Sequence, residues 1–138
     1  MQILEDCLEK TRKIKKVEEQ IAELRERAMS PKNQLITGMP RGGAGGNQSE
    51  SYMVKLERLE DRRKRLIRQR DELWEEIIYT IDAKGEVKEE HVSLLQYRFF
   101  KGLQWKKCCA LMCQKYPESS WNMNKVFRVY RQILRKFS

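Results

Sequence analysis

Asn124, Lys125, Arg128, Arg131, Arg135 and Lys136 crowd the end of a 138-residue chain, and no Asp or Glu follows Glu118. These side chains share one chemistry. An Asn amide bonds adenine bidentately, and a Lys or Arg bonds guanine. Cations beyond the first turns of a groove-binding helix meet phosphate oxygens instead. On one helix, Asn124 and Lys125 would occupy the first turn, with Arg128 about a turn further on. Arg131, Arg135 and Lys136 would then lie along the backbone. Lys106 and Lys107 open another helical stretch, where the helix N-terminus adds its own pull on a phosphate.

A helix over Ser119–Ser138 would position the first set. Val126, Val129, Tyr130, Ile133, Leu134 and Phe137 recur at three- and four-residue spacing and form an apolar stripe, while Lys125, Arg128, Arg131 and Arg135 recur on the other side. Asn122 reads as its N-cap, with Trp121 before it as a hydrophobic staple. Two helices precede it. Glu89–Phe100 ends at Gly102, a left-handed stop. Trp105 to Cys113 or Tyr116 carries Trp105, Cys108, Cys109, Met112 and Tyr116 on one face and closes at Pro117. Three helices in this order, the last one basic, are the arrangement of a helix-turn-helix unit whose final helix enters the major groove of double-stranded DNA.

The first part of the chain reads differently. Ile3–Ala28 places Cys7, Ile14, Val17, Ile21, Leu24 and Ala28 on a narrow seam flanked by mixed charges, the pattern of a coiled coil. Ser30-Pro31 stops it. Residues 30–49 read as a linker, because the run Gly42-Gly43-Ala44-Gly45-Gly46 cannot hold a helix. No phosphate-loop spacing is present there. A second long helix runs from Ser49 or Glu50 to Ile81, with Leu56, Leu59, Leu66, Leu73 and Ile77 in register. Arg63 and Arg70 occupy seam positions, so they must reach an edge, pair, or mark where the facing helix ends. Two helices of similar length point to an antiparallel hairpin, although a parallel coil between two chains stays open.

Charge follows the same division. Residues 1–83 hold 17 Lys/Arg against 16 Asp/Glu, and residues 84–138 hold 12 against 4, so the C-terminal part carries nearly all of the net +9. The chain is 36% charged with mean hydropathy −0.78, which suits long helices rather than one compact ball. No stretch has membrane-spanning length and the N-terminus is acidic, so a cytoplasmic protein with reduced thiols and no membrane partner is expected.

Other chemistry is thinly supplied. His91, Cys108, Cys109 and Cys113 lack the paired spacing of structural zinc, so the thiols read as small packing groups and no metal or cofactor is expected. One histidine among carboxylates interleaved with bases supports no catalytic set, so the chain is not expected to be an enzyme.

Leu95-Gln96-Tyr97-Arg98-Phe99-Phe100-Lys101-Gly102-Leu103-Gln104-Trp105 resembles the L-x-x-R-Y-x-x-G-x-x-W entry to the region-4 helix-turn-helix of sigma factors. Val126-Phe127-Arg128-Val129-Tyr130-Arg131-Gln132-Ile133-Leu134 is similar to the V-x-R-[IL]-H-x-x-A-L that follows the turn there, with Tyr130 in the histidine's place, suggesting packing. The layout as a whole resembles a family of small phage and prophage proteins of Gram-positive bacteria. In that family a GMPRGG segment, matched here by Thr37–Gly43, lies between two helices that precede such a unit. The resemblance implies a DNA-binding regulator akin to late-gene transcriptional activators, in a bacterial host cell. Gln114–Glu118 lengthens the span before the last helix, so either the short helix or the turn must be longer.

The expectation is an all-α protein, with a long antiparallel helical hairpin over 1–83 and a trihelical helix-turn-helix module over 84–138. Its function would be sequence-specific DNA binding in phage or prophage transcription. Expected partners are DNA, RNA polymerase, and a second copy through the coiled coil. The alternatives are a small-terminase-like subunit of phage DNA packaging and a helical adaptor that binds polymerase without DNA.

Overall fold

Apolar residues at helical spacing dominate the chain, and the computed structural model is all-α over the residues it describes, 2–29, 42–85 and 87–137. Helix α1 spans Gln2–Met29 and α2 Gly42–Lys84. Helix α3 spans Glu89–Leu95 and runs into a π-helical turn, Gln96–Phe100. Helix α4 spans Trp105–Lys115, a 3-10 turn covers Pro117–Ser119, and α5 spans Met123–Phe137. No helix among the described residues is long and apolar enough to cross a membrane.

Helix α2 starts earlier than its composition suggests. Residues 30–41 of the expected linker, and with them most of the GMPRGG segment, lie outside the described residues. From Gly42 onward the backbone is helical, so the glycine run does hold a helix. The physical reason is cooperativity. Nucleating a helix is costly, but extending a long one adds a hydrogen bond per residue, so each glycine weakens the extension by about 1 kcal/mol without forbidding it. At the other end, Gly85 adopts φ +68° and its N–H donates to the Ile81 carbonyl at 3.2 Å, a left-handed stop.

Packing divides the chain into two compact units, Lys13–Ile67, and Met1–Arg12 with Arg68–Ser138. The division expected at 83/84 is not the one that packing makes. Leu4, Cys7 and Leu8 of α1 and Ile77 and Ile81 of α2 are buried in one core with Leu94, Leu95, Phe99, Cys108, Met112, Trp121, Val126, Val129 and Ile133. In the Lys13–Ile67 unit, Ile14, Val17 and Ile21 bury against Leu66, flanked by Leu56, Leu59 and Ile67. Arg25 pairs there with Glu60 at 3.0 Å. Both side chains are well exposed, so the pair contributes only about 0–1 kcal/mol. In the other unit, the Cys7 thiol lies 4.0 Å from the Arg70 carbonyl.

The two seam arginines find different solutions. The Arg70 guanidinium lies 4.3 Å from the centre of the Phe100 ring and donates to Asp71 at 3.1 Å. Arg63 is half-buried, and its Nε has no hydrogen-bond partner among the described residues.

The π turn depends on α1. Lys101 N–H bonds the Gln96 carbonyl at 2.9 Å, which leaves the last carbonyls of the turn facing the core. The buried Thr11 hydroxyl lies 3.2 Å from the Phe99 carbonyl and 3.0 Å from that of Phe100, and 3.1 Å from the Cys7 carbonyl. It has one proton to share among them. Thr11→Val keeps the shape and removes the donor. We expect it to lower unfolding free energy by about 1–3 kcal/mol in chemical denaturation, because buried carbonyls lose their partner.

Candidate nucleic-acid interface

Helix α5 owes its orientation to one stripe. Val126, Val129 and Ile133 are buried, and Tyr130, Leu134 and Phe137 pack against the same core. Fully burying an aliphatic side chain contributes about 1.5–3 kcal/mol, so these residues fix the roll of the helix. Helices α3, α4 and α5 contact one another pairwise. Tyr130 packs at 5.7 Å from Phe99 and 4.9 Å from Trp105, the packing role expected of it. Burial pushes its phenol up, and the neighbouring Glu5 carboxylate adds to that.

The opposite stripe is polar and open. Asn124, Arg128, Arg131 and Arg135 are exposed, and their spacing of four, three and four keeps them on one line. Arg131 bonds the Phe127 carbonyl of its own helix through Nε at 3.3 Å. Among the described residues, none of the three arginines pairs with an acid. Lys106 and Lys107 are exposed in the first turn of α4. Trp105, beside them, meets Phe127 and Tyr130 edge-on or tilted, which brings the start of α4 to the second turn of α5.

Two expected members of the set stand apart. Lys125 does not point outward. Its ammonium donates to the Ser119 carbonyl and lies 4.5 Å from the Trp121 ring centre. The cause is its flank position, next to the turn rather than opposite the core. It closes the turn. Lys136 is half-buried and engaged within the chain.

The connection before α5 is built, not slack. The lengthened span divides between an α4 that continues to Lys115 and the 3-10 turn, and Ser120 turns the chain at φ +52°. Asn122 caps α5 as expected, accepting from the Lys125 N–H at 2.9 Å. Glu90 holds the turn to α3. Its carboxylate accepts from Ser119 Oγ at 2.6 Å and from Trp121 Nε1 at 3.2 Å. The Ser119 hydrogen bond, more than any other neighbour, draws its pKa below the ordinary 4.5. From sequence, Glu90 reads only as an acid suited to a helix start.

On the other flank, Gly102 at φ +69° makes the turn into α4. Arg98 Nη1 donates to the Leu103 carbonyl at 2.9 Å, and its guanidinium lies 4.9 Å from the Trp105 ring centre. Arg98, Gly102 and Trp105 thus act together as a clamp on that turn. The remaining groups are structural. Burial pushes the Cys7 and Cys108 thiols up to about 11, raises Cys109 as well, and holds His91 below its ordinary range, so it is neutral at pH 7. No cluster of three metal-ligating side chains occurs among the described residues.

Phe127 is the residue that the apolar and polar patterns both leave out. It is 37% exposed, off the buried stripe and beside the cations. The available signal was an aromatic at a position where the helical period calls for a polar group.

Two outcomes follow. A thiol reagent under native conditions should modify the exposed Cys113 first, while Cys7 and Cys108 stay protected until unfolding, as read by mass spectrometry. For Glu90, a depressed carboxyl pKa stabilises the fold fully above 4.5, and that contribution disappears as pH falls through the lower folded value. Glu90→Gln should therefore flatten the acid limb of a stability-versus-pH curve followed by circular dichroism. Comparison with family models, with curated proteins and with solved structures finds no match to this chain.

Proposed function

We propose that this chain is a sequence-specific DNA-binding protein that regulates transcription, with α5 as its reading helix. The observation that carries this reading is the exposed line Asn124, Arg128, Arg131, Arg135, standing opposite the buried stripe, where no acid among the described residues pairs with its arginines. Like charges held on one face repel, and a phosphate backbone relieves that repulsion while releasing its counterions. Asn124 and Arg128, in the first two turns, carry the groups that distinguish bases. Arg131 and Arg135, together with Lys106 and Lys107, supply phosphate contacts.

The likeness to sigma region 4 and to small phage proteins supports a place in phage or prophage transcription in a bacterial cytoplasm, with RNA polymerase as a further partner. A binding protein without cofactor, rather than an enzyme, fits the absence of any catalytic set in the sequence. Ile14, Val17 and Ile21 bury against Leu66, and a second copy through the coiled coil remains part of this reading. The mass of the DNA complex tells a monomer on one site from a dimer on half-sites about a helical turn apart. A ring many times the monomer mass would instead favour DNA packaging.

Selection of bound duplexes from random DNA at moderate salt tests the reading and delivers the site. On that site, Arg128→Ala should cost about 1–3 kcal/mol at one base pair and relax the preference there. Arg135→Ala should weaken all duplexes alike and reduce the salt dependence of binding. If both variants bind as the parent does, α5 is not the reader.

A further inference from the structure

Within that reading, on which this inference rests, we infer that Phe127 is a specificity residue that recognises a thymine by its 5-methyl group. Phe127 stands in the second turn of α5, three residues after Asn124 and four before Arg131. Its ring is 37% exposed on a helix whose other outward side chains are polar or cationic. Phe127 lies outside the buried core that holds α5 in place.

The ring is also held in place. Trp105 packs against it edge-on, with centroids 5.7 Å apart and planes at 62°. Trp105 is in turn fixed by Phe99, Tyr130 and the Arg98 guanidinium. The Arg131 Nε–H bonds the Phe127 carbonyl at 3.3 Å. A pre-ordered apolar group loses little entropy on binding.

In a major groove, such a group has one specific partner. Base edges present hydrogen-bond donors and acceptors at every position, and the thymine methyl is the apolar feature among them. Asn124 in the preceding turn is suited to adenine, so the adjoining residues would read an A·T-containing step by two different chemistries.

The test uses the full chain and the duplex it selects from random DNA. Each thymine of that duplex is replaced singly by uracil, which removes one methyl and leaves the hydrogen-bonding edge unchanged. At one position near the Asn124 contact, the replacement should weaken binding about fourfold, the effect of burying one such group. Phe127→Ala should bind the thymine and uracil duplexes alike at that position, and Phe127→Leu should retain part of the preference. The ratio between duplexes is read within each variant, so a general loss of affinity does not imitate the effect. If the parent selects a sequence yet binds every uracil duplex as tightly, the methyl contact is refuted and DNA reading by α5 stands. If Phe127→Ala keeps the preference, another side chain makes the contact and the assignment is overturned. If the parent selects no sequence at all, both readings fall together.

Discussion

The last carbonyls of a helix need partners, and where α3 widens into its π turn those carbonyls face the packed interior. Thr11 supplies the hydroxyl from α1. The rest of the Met1–Arg12 and Arg68–Ser138 unit is arranged around that contact. Phe99, whose carbonyl receives it, buries its ring against Trp105 and Tyr130, and so against the first turn of α4 and the middle of α5. A single peptide therefore joins the N-terminal helix to the two helices that form the candidate interface. It is buried, so an unmade bond there costs more than one at the surface.

Helix α5 is held at both flanks by polar clamps, while its apolar stripe sets its depth. On one side, Glu90 draws in Ser119 and Trp121, and Lys125 closes over the same turn. On the other, Arg98 bonds Leu103 and stacks on Trp105. Each clamp uses a charged group internally, against neutral donors, acceptors or a ring. Among the described residues no acid pairs with Arg128, Arg131 or Arg135, although Arg98 Nε is left without a hydrogen-bond partner. The exposed charge of α5 follows from this arrangement, since no clamp draws a carboxylate across to that face.

Periodicity made the helices legible, and glycine chemistry made their ends legible. Gly85 and Gly102 are left-handed where a C-terminal stop calls for them, and Asn122 caps α5. The outward line of α5 was readable for the same reason, since spacing alone separates two faces of a helix. Three things were not readable. Cooperative extension carries α2 back to Gly42, which residue-by-residue propensity cannot express. Lys125 shares the basic pattern but sits on the flank beside the turn, so a tertiary contact decides its direction. Glu90 and Thr11 act on residues 29 and 88 positions away, and no local pattern encodes such partners.

The core's dependence on both ends of the chain has a practical meaning for synthesis and for dissection. Leu4, Cys7 and Leu8 are synthesised well before Phe99, Met112 and Val129, with which they share a core. A fragment cut at residue 84 would keep every cation of α5 but lack five buried side chains from the ends of α1 and α2, as well as the Thr11 hydroxyl. Such a fragment would present the right charges on the wrong scaffold, and its behaviour would describe the cut rather than the protein.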